Sequence, residues 1–172
     1  MSSFANSPDE WQRLDYQLLQ NGAVNLYFNQ QVLSEDTAWL KNHGYVIHVL
    51  NAAGWLSADD FHKDVSEILG FPGYYGRNLD AFNDCLGDIE ISETEGGCVL
   101  QLLGFDKLAA ALPELARPIL DIIEIQSRRH LLTGQRLLAL VQSDDPRISF
   151  EHLGCLAATW NPKEWLHKNR GL

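Results

Sequence analysis

Residues 70–90 read GFPGYYGRNLDAFNDCLGDIE and hold the side chains best suited to chemistry. Asp80, Asp84 and Asp88 recur at every fourth position, so a helix would carry all three on one face. Glu90, Glu93 and Glu95 follow, and no basic residue intervenes before Lys107. Such a row can ligate a hard cation, exchange protons with a substrate, or satisfy the cations of a basic partner. The first two chemistries ask for more than the sequence offers. Hard cations take about six or more oxygens in a closed shell, and no second carboxylate cluster is present. The histidines (His43, His48, His62, His130, His152, His167) show neither HxxxH nor HExxH spacing. Acid pairs that cleave glycosides must flank a cleft, whereas Asp80 and Asp84 project from one exposed helix. No metal and no cofactor is therefore expected.

The acids have unusual company. Gly70, Pro72, Gly73 and Gly76 make a tight loop expected to present Tyr74 and Tyr75. Asn78 is a good N-cap for the helix that follows, and Asp80 in its first turn complements the helix dipole. Leu79, Phe82, Cys85, Leu86 and Ile89 fall on one face; Asp80, Asp84, Gly87 and Asp88 fall opposite, with Asn83 at the border. Folding alone does not ask for Asp84 and Asp88. Like charges four apart cost a helix about 0.2–0.5 kcal/mol per pair, and Asp88 sits at the wrong end of the dipole. The plain alternative is a solvated acidic face. Tyrosines beside the acids favour a binding surface, since aromatic residues anchor interfaces. The glycines match neither GxGxxG nor GxxxxGK[ST], and Asp80 would repel a phosphate. There is no GxSxG, and Cys85 lies on the apolar face, so no nucleophile is set up and no enzyme is expected.

The stretch from Tyr74 to Leu86, YYGRNLDAFNDCL, resembles the signature of the barstar family, intracellular inhibitors that block barnase-type ribonucleases. The pattern YYG-x-NLDA-x-x-DCL is long and specific, and the resemblance extends over about residues 44–142. It implies an α/β fold in three layers, with a small parallel sheet of three or more strands packed by helices. It also implies a partner, a basic protein of the barnase-type ribonuclease class. Tyr74, Gly76, Asn78, Asp80 and Asp84 match the family's inhibitory loop and helix, where the aspartate matching Asp84 occupies the substrate phosphate site. The expected partner-binding set is Tyr74, Tyr75, Gly76, Arg77, Asn78, Asp80, Asn83, Asp84, Gly87 and Asp88. Asn83 stands where barstar has a tryptophan, Ile89 near a second one, and Arg77 replaces an acid. Glu124 lies near a further family glutamate on the penultimate helix, in an unfixed register. These departures suit a ribonuclease other than barnase. The alternative is a non-inhibitory regulatory or assembly module that binds another basic protein through the same face.

The elements that must position this segment are legible. Tyr45–Leu50, Cys98–Leu103 and Leu137–Val141 are short apolar runs that read as buried strands. Helices are expected from Ser57, as N-cap, to Leu69; from Asn78 to about Ile89; over Lys107–Leu112; and from Arg117 or Pro118 to Leu132, closed by Gly134. Apolar strands separated by helices predict a parallel sheet. The expected organisation is an N-terminal extension (1–43), the barstar-like domain (44–145) and a C-terminal extension (146–172). The first flank holds a helix over Glu10–Gln20, a strand candidate over Val24–Phe28 that could extend the sheet, and a helix over Ser34–His43. The second, around Trp160 and Trp165, receives no assignment. Trp11, Trp39, Trp55, Trp160 and Trp165 are expected as packing residues, with Trp55 also a possible rim contact.

Composition bounds the rest. The 172 residues are 45% hydrophobic and 21% charged, enough to build a core without staples. Cys85, Cys98 and Cys155 are odd in number and lack CxxC spacing, which suits a reducing compartment. Neither a signal peptide nor a membrane span is evident, and a cytoplasmic location is expected. The net charge of −10 repels phosphate backbones and anionic lipid, so neither nucleic acid nor membrane is an expected partner. The acidic run from Asp88 to Glu95 is expected to speed encounter in a salt-sensitive way.

Overall fold

The computed structural model describes residues 4–91, 96–151, 153–154, 157–165 and 170. Five parallel strands form one sheet: β1 (Val24–Tyr27), β2 (Tyr45–Asn51), β3 (Gly97–Leu103), β4 (Leu137–Gln142) and β5 (Thr159–Trp160), in the order β2-β3-β4-β1-β5. Their alternating side chains build two cores. Leu50, Leu100, Leu102, Ala139 and Val141 meet one helical layer, while Tyr45, Val99, Leu138 and Leu140 meet the other. The first layer is α4 (Ala58–Ile68), α5 (Leu79–Gly87), α6 (Phe105–Ala111) and α7 (Pro113–Leu132). The second comprises α2 (Leu14–Leu19) and α3 (Gln30–Asn42), preceded by the single turn α1 (Pro8–Trp11). The result is a three-layer α/β protein with helices on both faces of a parallel sheet.

The expected strands agree with β2, β3 and β4 to within a residue, and Ser57 caps α4 by accepting the Asp60 N–H. Two helices differ. The stretch over Glu10–Gln20 is broken, because Arg13 is extended (φ −65°, ψ 141°) and turns its guanidinium onto buried Asp15. Asp15 also accepts from the Tyr45 hydroxyl at 2.7 Å. Burial pushes its pKa up, but those hydrogen bonds with the charges of Arg13 and Arg136 outweigh it and hold Asp15 below its usual range. The second difference is α7, which starts at Pro113 and continues through Pro118. Pro113 supplies the proline favoured at a helix start; Pro118 lies one turn further in.

The flanks belong to the same sheet. β1 lies between β4 and β5, with Val24 opposite Ala139 and Leu26 opposite Trp160. Glu164 ties the C-terminal flank to the start of α3, its Oε1 accepting the Phe28 and Asn29 N–H groups. Asn161 and Lys163 both donate to the buried Asp36 carboxylate. The tryptophans divide. Trp55 is in the core, whereas Trp11 and Trp165 are exposed. Cys155, His152 and His167 lie outside the described residues.

Candidate partner-binding face

The loop before α5 separates its two tyrosines. Tyr75 donates its backbone N–H to the Pro72 carbonyl at 2.9 Å, closing a tight turn. Tyr74 is left 87% exposed, and Tyr75 turns inward to 9% exposure. The Tyr75 ring lies 5.0 Å from that of Phe71, and its hydroxyl is hydrogen-bonded to His62 Nδ1. Burial lowers the His62 pKa and raises that of Tyr75. The expectation that Tyr75 offers its ring to a partner is thereby corrected, since adjacent residues of a turn point opposite ways. Arg77 follows at φ +47°, a left-handed conformation that costs a non-glycine residue about 1–2 kcal/mol. Beside it, a Cβ on Gly76 would stand 3.2 Å from Asn78 Nδ2.

Asn78 caps α5. Its Oδ1 accepts the Ala81 N–H at 2.8 Å, and its Nδ2 donates to the Gly76 carbonyl at 3.2 Å. The side chain is thus committed to shaping the loop. Phe82 and Leu86 anchor the helix in the main core, with burial worth roughly 1.5–3 kcal/mol each. On the outer side Asp80, Asp84 and Asp88 are exposed in a row, without an ion-pair partner among the described residues. Cys85 is half-buried; burial, helped by the Asp88 and Asp84 charges, pushes its thiol pKa up, the opposite of an activated nucleophile. Glu90 is exposed, and Glu93 and Glu95 lie outside the described residues. Among the described residues, no three His, Cys, Asp or Glu side chains converge as a metal site would require.

The flank of α5 carrying Asn83 and Gly87 meets α7, through residues the sequence reading did not name. Gln126, fully buried, donates from Nε2 to Asn83 Oδ1 at 2.7 Å and accepts from Arg129 at 3.3 Å. Asn83 in turn reaches Asp84 Oδ1 at 3.4 Å. A polar relay therefore links a cation on α7 to the middle carboxylate of the row. Gly87 makes the approach feasible, because a Cβ there would stand 2.8 Å from Gln126 Oε1. Asn83 and Gly87 are accordingly half-buried at a helix contact, not free surface. The clue lay in spacing: Gln126 follows Ile119 and Ile123 at the interval of a buried helical face.

The structure also places Glu124, whose register the sequence left open, and Trp55. Glu124 is 2% exposed and turned away from α5, with Oε2 accepting the Ala23 and Val24 N–H groups at 2.7 and 3.3 Å. It fastens β1 and adds nothing to the acidic face. Trp55 is no rim residue: it packs edge-on against Phe61 at 5.1 Å, and its indole N–H donates to Asp64 at 2.8 Å.

The face is therefore an acidic helix, anchored by Phe82 and Leu86, beside an exposed tyrosine. Residues 45–142 match the family model for barstar, the barnase inhibitor. The chain belongs to the barstar family. The barstar match covers β2 to β4 and every residue of the face. A Bacillus subtilis (strain 168) protein named "Putative ribonuclease inhibitor YrdF" is 32% identical over 77 residues, spanning 44% of this chain and 79% of that protein. No helix among the described residues is long and apolar enough to cross a membrane.

Proposed function

We propose that this barstar-family chain inhibits a ribonuclease by seating α5 and the Tyr74 loop in the enzyme's substrate groove, protecting the cell that makes it. The observation that carries this reading is the row of exposed Asp80, Asp84 and Asp88 beside Tyr74 on a helix fixed by Phe82 and Leu86. A ribonuclease holds RNA phosphates with arginines and lysines, and preorganised carboxylates can satisfy the same cations at little ordering cost. Asp80 and Asp84 form the charge pairs, while Tyr74 packs at the rim and excludes water. Gly76, Arg77 and Asn78 shape the loop, and Asn83 and Gly87 hold the helix against α7. Asp88 and Glu90 chiefly steer encounter, an effect that weakens with salt. The name of the Bacillus subtilis relative and the family's description as barnase inhibitors support the inhibitory role.

The test is inhibition of RNA cleavage by a panel of barnase-type ribonucleases, with wild type and the Asp80→Ala/Asp84→Ala variant in parallel. Inhibition by wild type that the variant loses supports both activity and site. Equal inhibition by both would move the site off α5, and inhibition by neither would remove these enzymes as partners.

A further inference from the structure

Asn83 and Gly87 turn one flank of α5 toward α7, and Cys85 and Ile89 turn the other toward an open groove. The groove encloses about 730 Å³, within the roughly 300–1,000 Å³ of small-ligand pockets. Its apolar surface comes from Val46 on the edge strand β2, from Leu69 and Phe71 after α4, and from Ile89. Asp84, Asp88 and Glu90 also line it, and Tyr74 contributes a face otherwise open to solvent. No lysine or arginine is found among its described lining residues. His48, which also lines it, is held by a hydrogen bond to the Ile68 backbone, and burial lowers its pKa. The groove thus pairs an apolar floor with three carboxylates that have no ion-pair partner among the described residues.

This combination selects its occupant. A purely apolar group would leave the carboxylates unpaired, and a compact hydrated cation would leave the floor unfilled. A guanidinium on an aliphatic stem, next to an apolar side chain, meets both surfaces and can stack on the tyrosine ring. We propose that the groove is a second recognition site, taking an arginine side chain flanked by an apolar residue of the bound ribonuclease; this rests on the inhibitory reading above. The site extends the interface from the outer face of α5 to the β2 edge of the sheet.

The site is testable without the enzyme. The full chain, labelled with ¹⁵N, is titrated with acetyl-phenylalanyl-arginine amide, and in parallel with the uncharged citrulline analogue. Saturable shifts centred on Val46, Phe71, Tyr74 and Ile89 are expected with the arginine probe. Binding should be about tenfold weaker for citrulline, weaker for Glu90→Gln, and lost in Val46→Trp, which fills the groove. Shifts that are absent, scattered or equal for the two probes would overturn the site. A second arm compares ribonuclease inhibition by wild type and Val46→Trp. Equal inhibition by the two would overturn the groove's part in the complex while the inhibitory reading stands. Arginine binding without inhibition of any ribonuclease would keep the groove and overturn the enzyme as its source.

Discussion

Asp84→Ala should move stability and inhibition in opposite directions. In the free protein Asp84 is exposed, accepts one side-chain hydrogen bond among the described residues, from Asn83 at 3.4 Å, and lies between Asp80 and Asp88, each one turn away. Removing it relieves two like-charge pairs of about 0.2–0.5 kcal/mol each. Alanine also has the higher helix propensity. A gain of roughly 0.5–1 kcal/mol is expected in low salt, shrinking as salt screens the row. In the complex, the same change leaves a cation of the enzyme buried and unpaired. That costs about 2–5 kcal/mol at protein interfaces, barnase–barstar among the systems that define the range. The inhibition constant should weaken by about 30-fold to 4,000-fold. Urea unfolding at two salt concentrations gives the first quantity, and titration of an inhibited ribonuclease gives the second. A stability loss above about 1 kcal/mol would mean that Asp84 supports the fold. A binding loss below about 1 kcal/mol, the worth of an exposed ion pair, would remove it from the interface.

Other changes probe the frame around it. Gly87→Ala would gain about 0.5–1 kcal/mol at an open helical site, but the contact with Gln126 makes it destabilising by about 1–3 kcal/mol; urea unfolding should also show Gln126→Ala reversing much of that loss. Asn78→Ala should cost about 0.5–2 kcal/mol and speed hydrogen exchange at the Ala81 amide, which loses its acceptor. Glu124 is raised above its ordinary value of 4.5, chiefly by burial, with the Ala23 and Val24 N–H groups partly opposing. Folded protein then holds the proton more tightly than unfolded protein, so stability falls as pH rises from 4.5 through the raised folded value. Urea midpoints measured across that range should show this decline in wild type and lose it in Glu124→Gln.

The parts of this fold legible in the sequence are those where one physical requirement dominates. Continuous apolar runs place β2, β3 and β4 because strands covered on both faces tolerate little else. Ser57 and Asn78 mark helix starts because their side chains can accept an orphaned N–H. Asp80, Asp84 and Asp88 could be placed on one exposed face because a helical repeat admits no other arrangement. What stayed hidden depends on partners distant in the chain. Tyr74 and Tyr75 are the same residue type, and only the turn from Pro72 decides which faces solvent. Gln126 is polar, and its burial makes sense only once Asn83 and Gly87 lie against it. Glu124 sits in a helix whose register to β1 no local pattern specifies. Pro113 and Pro118 both satisfy the rule for a helix start, and local propensity does not rank them.

The placement of β1 governs the order in which the molecule can be completed. Although α3 leads directly from β1 to β2, β1 pairs with β4, and Glu124, which fastens it, is 101 residues beyond Ala23. During synthesis from the N-terminus, β1 leaves the ribosome long before either partner exists. The strands β2, β3 and β4 can pair as each is made, and β1 and β5 are added on the β4 side afterwards. β5 pairs with β1, so its docking surface is the last to appear. Closing so distant a contact is slow relative to local pairing. The earliest strand made thus belongs to the latest part of the sheet to close.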